Sequence, residues 1–187
     1  MKFSSGNLPA IKLDYLRCLT DDTGVVQHSK FATPNRREGY SIDDNARALI
    51  VCKKHYGLFK RVETAKLADV YLSFLYHMQR KDGRLHNFLG YDRRFLDEAG
   101  SDDSLGRTLW ACGHAINSDF EEEKKLVAKE IFDKALSYSI LSSSPRTKAF
   151  AVLGLCQYQH AYPMDQTISR NISKLIDDLV KLFEKTA

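Results

Sequence analysis

The sequence predicts an all-α protein on two grounds. Apolar residues recur with a helical period over most of the chain, and almost nothing alternates with the period of two that a half-buried strand requires. With 43% hydrophobic and 28% charged residues the composition is ordinary globular usage. At 187 residues and 21.3 kDa one domain covering 1–187 is expected, with enough chain to bury a core.

Seven helices are predicted. The first, about 8–19, carries Ile11, Tyr15, Leu16 and Leu19 at helical spacing and stops at the turn sequence TDDTG. The loop VVQHSKFATPNRREGYS follows, too polar and too punctuated by Pro and Gly for regular structure. Loops of that length in compact domains are usually functional or disordered. The remaining six helices form three pairs. The first member of each pair is apolar nearly all round: 43–56 with AlaLeuIleValCys at 48–52, 102–117 with Leu105, Leu109, Trp110, Ala111, Cys112 and Ile116, and 146–160 with AFAVLGLC. A helix without a polar face must be covered on most sides. The second member is amphipathic: Leu67, Val70, Tyr71, Phe74, Leu75 and Met78, then Val127, Ile131, Ala135 and Tyr138, then Ile168, Ile172, Leu175, Leu179 and Leu182. Alternating enclosed and half-exposed helices describe either the two rings of an α/α toroid or the two layers of an α-solenoid. The insertion RKDGRLHNFLGYDRRFLDEAGS precedes the second enclosed helix as the long loop precedes the first, so both emerge at one end if the enclosed helices run parallel.

Composition and local patterns narrow the function. The net charge of +4 is spread along the chain, which gives nucleic-acid binding little support. No apolar run is long enough for a membrane span, and the N-terminus lacks the apolar centre of a secretory signal, so a cytoplasmic protein is expected. Cys18, Cys52, Cys112 and Cys156 stand far apart among apolar residues and read as reduced core residues. No ligand spacing links the histidines, and neither a P-loop nor a dinucleotide fingerprint occurs, so no metal or nucleotide cofactor is expected.

Two segments resemble each other, SIDDNARALI and GSDDSLGRTLW. Each has a serine, two aspartates and an arginine one turn on: Asp43, Asp44 and Arg47, then Asp102, Asp103 and Arg107. Helix capping accounts for one acid in each, because a side-chain oxygen and a negative charge both suit a helix N-terminus. A second acid in each invites a catalytic reading. Glycoside hydrolysis commonly uses two carboxyl groups, one as acid and the other as base or nucleophile. Asp97 and Glu98 lie just before the second pair. The insertion mixes Phe88, Tyr91 and Phe95 with amides and charges, a blend that suits either sugar contact or a packed connecting loop. Ser142, Ser143 and Ser144 before Pro145 read as the cap of the third enclosed helix.

The blocks LTDDTGVVQHSKFATPNRREGYSIDDNARALI and DGRLHNFLGYDRRFLDEAGSDDSLGRTLWACG resemble a bacterial carbohydrate-active domain of the six-hairpin glycosidase kind, found alone or appended to glycosyltransferases. The resemblance is strongest from Leu19 to Gly113 and continues through RTKAFAVLGL. It implies an (α/α)6-type toroid with its sugar site at one end of the inner helices. The matching positions are Asp21, Asp22, Gln27, His28, Arg37, Tyr40, Asp43, Asp44, Asn45 and Arg47, then His86, Asn87, Glu98, Ser101, Asp102, Asp103, Arg107 and Trp110. A glycoside hydrolase-like domain is therefore expected, with Asp43, Asp44, Asp102 and Asp103 as acid and base candidates. Arg47 and Arg107 would orient them, and His28, Arg37, Tyr40, His86, Asn87, Tyr91, Glu98 and Trp110 would contact the sugar. The competing expectation is a non-catalytic helical-repeat module that binds a glycan or a partner glycosyltransferase. The resemblance implies six hairpins, of which the three pairs and leading helix supply about half a ring, and an open half-ring should expose apolar edges, which predicts a homodimer or a missing C-terminal half.

Overall fold

A computed structural model describes residues 9–186. The fold is mostly α, with seven helices among the described residues: α1 (Asp14–Leu19), α2 (Ile42–Phe59), α3 (Val62–Met78), α4 (Asp102–Ile116), α5 (Glu122–Leu141), α6 (Pro145–Ala161) and α7 (Gln166–Thr186). None of them is long and apolar enough to cross a membrane.

Helices α2, α4 and α6 lie side by side with α4 in the middle, and each is followed by a helix that returns along it. Their direction follows from glycines. A Cβ on Gly106 would stand 2.8 Å from the Thr147 carbonyl oxygen, and one on Gly113 would stand 2.3 Å from that of Gly154. Both contacts advance by the same number of residues on the two helices, so α4 and α6 run parallel at a backbone separation that only glycine permits. Helix α2 runs the same way, because Asp43 near its start meets Arg107 near the start of α4. Lys53 and Lys54 near its end act on His114 near the end of α4. The three N-termini therefore open at one rim. The core fills the space between this layer and α3, α5 and α7. Leu49 and Cys52, Tyr71 and Leu75, Leu109 and Cys112, Ile131 and Phe132, Leu155 and Leu175 are all buried there. Each such side chain contributes roughly 1.5–3 kcal/mol through loss of apolar surface from water.

Four expectations change. The first helix starts at Asp14, not near residue 8, and buried Leu13 occupies its N-cap. The helices expected to be enclosed are not covered all round: α2 leaves Arg47, Val51 and Leu58 exposed along one stripe, and α6 leaves Leu153 exposed. Cys18 and Cys156 are exposed, and only Cys52 and Cys112 belong to the core; all four are free thiols. The loop after α1 is not wholly irregular. It forms a hairpin of β1 (Ser29–Lys30) and β2 (Thr33–Pro34), and its β3 (Tyr40–Ser41) pairs antiparallel with β4 (Phe88–Leu89) of the insertion. These ladders span two residues each, too short to leave an alternating pattern in sequence. Along the last hairpin, Leu153 of α6 and Ile176 and Val180 of α7 are exposed.

Candidate functional site

The two polar insertions meet over the rim. Tyr40 pairs with Leu89 and Ser41 with Phe88, and the Ile42 amide donates to the Asn87 carbonyl at 3.0 Å. Gly39 makes this possible: its φ is +67°, and a Cβ there would lie 2.2 Å from the Leu89 carbonyl oxygen. Asp97 organises the insertion by accepting from the Asn87 and Phe88 amides at 2.7 and 3.2 Å. His86 Nδ1 lies 2.8 Å from the Asp97 carbonyl oxygen, and its ring stacks on Phe95 at 3.9 Å. Arg93 reaches across to Asp22 with two contacts of 2.7 and 2.8 Å, which hold the Asp22 carboxyl below its usual pKa.

The four aspartates divide by role. Asp44 belongs to the cap of α2: its amide donates to Ser41 Oγ at 3.1 Å, and Ser41 Oγ donates back to Asp44 Oδ2 at 2.6 Å. Asp102 takes no part in the arginine contacts of the other three and accepts from Ser142 Oγ at 2.6 Å, which ties α4 to the segment entering α6. Asp43 and Asp103 instead join a ladder of ion pairs across the three N-termini. Arg47 Nη2 contacts Asp43 Oδ2 at 2.7 Å and Asp44 Oδ1 at 3.0 Å. Arg107 reaches back from α4 to Asp43 Oδ1 at 2.7 Å while its Nε donates to Asp103 Oδ2 at 2.8 Å. Arg146 reaches back from α6 to Asp103 Oδ1 at 2.7 Å. The Asp43 Oδ1 and Asp103 Oδ1 contacts are close in distance without hydrogen-bond alignment. Arg107 and Arg146 thus each bridge to the preceding helix of the layer, and at Arg107 two carboxylates from different helices face one guanidinium.

Below the ladder the same helix faces continue as one surface. Asp103, Arg107, Trp110 and His114 follow one another at single-turn spacing along α4. The Arg107 guanidinium lies 4.6 Å from the Phe150 ring centroid, and Trp110 stacks on Phe150 at 5.3 Å. Burial, followed by the charges of Lys53 and Lys54, pushes the His114 pKa down to about 4. Its Nδ1 is buried without a hydrogen-bond partner among the described residues. Asn117 Nδ2 donates to Gln157 Oε1 at 3.0 Å further along.

The remaining predicted residues are divided between surface and scaffold. His28, Arg37, Tyr91 and Glu98 are exposed, and Tyr91 stacks on Tyr40 at 6.2 Å. Tyr40 is buried and donates to Asp21 Oδ2 at 2.7 Å; burial, then this acceptor, drives its pKa well above the ordinary value. Asn45 is buried and holds the preceding loop by accepting from the Val25 amide at 3.0 Å. The acid Asp102 lines a cleft of about 320 Å3 with Arg84, Tyr138, Ser142 and Ser143. Sequence reasoning missed Arg146 and Phe150. The signal was there, because Arg146 and Thr147 repeat the Arg107 and Thr108 pair. No group of metal-ligating side chains gathers among the described residues. No protein-family model and no curated protein matches the chain.

Proposed function

We propose that this is a carbohydrate-active domain that holds a glycan across the face formed by α2, α4 and α6. The observation that carries the reading is the juxtaposition of the Asp43, Arg107, Asp103 and Arg146 ladder with the stacked Trp110 and Phe150 rings. Carboxylates accept and guanidinium groups donate in fixed planar geometry, which matches neighbouring sugar hydroxyls. Aromatic faces take the apolar side of a sugar ring. The resemblance to six-hairpin glycosidases supports the same surface, which in a complete (α/α)6 ring would face the lumen.

A hydrolytic role is the second reading, favoured by the fact that Asp43 and Asp103 face each other across Arg107 and do not cap their own helices. Held by arginines, both suit a base or nucleophile; the proton for the leaving oxygen would come from another carboxyl group. Of the predicted acids, Asp44 and Asp102 are the two left for it; they accept from Ser41 Oγ and Ser142 Oγ.

The test is calorimetry and reducing-end release on a panel of soluble oligosaccharides, with wild type, Trp110→Ala and Asp103→Asn. Binding by the wild type that falls about tenfold or more in Trp110→Ala supports the site, by loss of one stacked ring. Release of sugar that disappears in Asp103→Asn adds hydrolysis. A wild type that binds no member of the panel at millimolar concentration removes the reading.

A further inference from the structure

Far from the rim, a cleft of about 210 Å3 lies between the segment entering α1 and the end of α2. Its walls carry Lys12, Arg17, His55, Phe59 and Arg61, with Asp14 as the acid among them. His55 lies roughly 18 Å along α2 from Asp43 at the helical rise of about 1.5 Å per residue, so the cleft is separate from the proposed glycan surface. Lys12, Arg17 and Arg61 form no ion pair among the described residues, whereas Arg47, Arg93, Arg107 and Arg146 all do. Three unpaired cations around one small cavity leave a positive field that a bound anion would satisfy.

The floor of the cleft is more specific than its charge. His55 is only 7% exposed. One ring nitrogen, Nδ1, shares a hydrogen bond of 2.9 Å with Thr64 Oγ1, and the ring packs on Phe59 at 4.7 Å. The other nitrogen has no protein partner among the described residues. Arg61 is also the N-cap of α3, which has no side-chain cap, so the positive end of that helix faces the same side. Arg61 and Arg17, from different elements, line the same cleft as His55, and both act electrostatically on its ring.

We propose that this cleft binds a phosphate group, free or carried on a small phosphomonoester. The arginines would each donate a charge-assisted hydrogen bond, Lys12 would add a point charge, and the neutral His55 ring would donate from its free nitrogen in the tautomer whose Nδ1 accepts from Thr64 Oγ1.

The experiment is a titration of the full 187-residue chain followed by its histidine NMR signals, with His55 assigned through His55→Gln. Inorganic phosphate, glycerol phosphate and sodium chloride at matched ionic strength are added in parallel. A saturable shift of His55 with phosphate but not chloride is expected. Arg17→Ala and Arg61→Ala should each weaken it about tenfold, as loss of one charge-assisted hydrogen bond does. Tighter binding of glycerol phosphate identifies a phosphomonoester; equal binding identifies free phosphate. Because both arginines are exposed, unchanged melting of the variants shows that the fold is intact. A His55 response that chloride reproduces, or an affinity unchanged in the Arg17→Ala/Arg61→Ala double variant, overturns the proposal.

Discussion

Replacing Arg107 by alanine removes the centre of the rim ladder and should destabilise the protein far more than loss of any other rim arginine. Its side chain is 15% exposed and touches Asp43, Asp103 and the Phe150 ring at once. Two charge-assisted contacts in a partly desolvated site, together with a cation–π contact, are worth roughly 2–4 kcal/mol after allowance for screening. The loss includes a new penalty, because Asp43 and Asp103 would face each other with no cation between them. Arg47 is the internal control: it is 52% exposed and pairs only with its own helix, so its loss should cost about 0.5 kcal/mol or less. Urea unfolding measures both, and for a chain of this size the Arg107 variant should melt roughly 4–16 °C lower. Adding Asp103→Asn to Arg107→Ala should restore part of the loss by removing the repulsion. An Arg107→Ala cost no larger than that of Arg47→Ala, or no rescue by Asp103→Asn, would refute the ladder as the element that joins the three N-termini.

Gly154→Ala should cost roughly 3 kcal/mol or more in urea unfolding, since its Cβ would lie 2.3 Å from the Leu109 carbonyl oxygen, whereas Gly57→Ala, with open space around it, should stabilise by about 0.5–1 kcal/mol. Equal effects at the two glycines would show that α4 and α6 do not approach as closely as described. His114 should titrate near pH 4 by NMR, displaced below its ordinary value of 6.5 first by burial and then by Lys53 and Lys54. The unfolded chain then binds more protons than the folded one between those values, so stability rises with pH across that window and His114→Gln should flatten the rise; a midpoint near 6.5 would contradict the buried placement. Asp97→Ala should leave the Asn87 and Phe88 amides without their acceptor and speed their hydrogen exchange, with little effect on exchange in α4.

What the sequence disclosed depended on how far apart the determining residues lie. The helices were legible because their apolar period is local, and the paired segments at Asp43 and Asp102 were legible because they repeat. Each aspartate's role was not, since it depends on which arginine of another helix reaches it. Asp43 pairs with Arg107 and Asp103 with Arg146, across separations that no local pattern reports. The close approach of α4 and α6 was likewise hidden, because Gly106, Gly113 and Gly154 read as weak helix residues until their facing backbones are known. The small strands escaped for a different reason. Tyr40 and Ser41 meet Phe88 and Leu89 through backbone hydrogen bonds, which leave no mark on side-chain periodicity.

The ladder also has a direction. Arg107 of α4 reaches back to the acid of α2, and Arg146 of α6 reaches back to the acid of α4, so each added hairpin locks onto the one before it. In the segment entering α6 the place four residues before Arg146 is taken by Ser142, which donates to Asp102 and offers no carboxylate. The acid that α7 brings to the start of α6 is Asp178, taken by Lys148 at 2.6 Å, and the exposed Leu153, Ile176 and Val180 lie on the same hairpin. The polar seam and the apolar edge therefore part company at α6. The arginine bridge joins α2, α4 and α6 and goes no further among the described residues, so the proposed glycan surface would carry its strongest polar grip between α2 and α6.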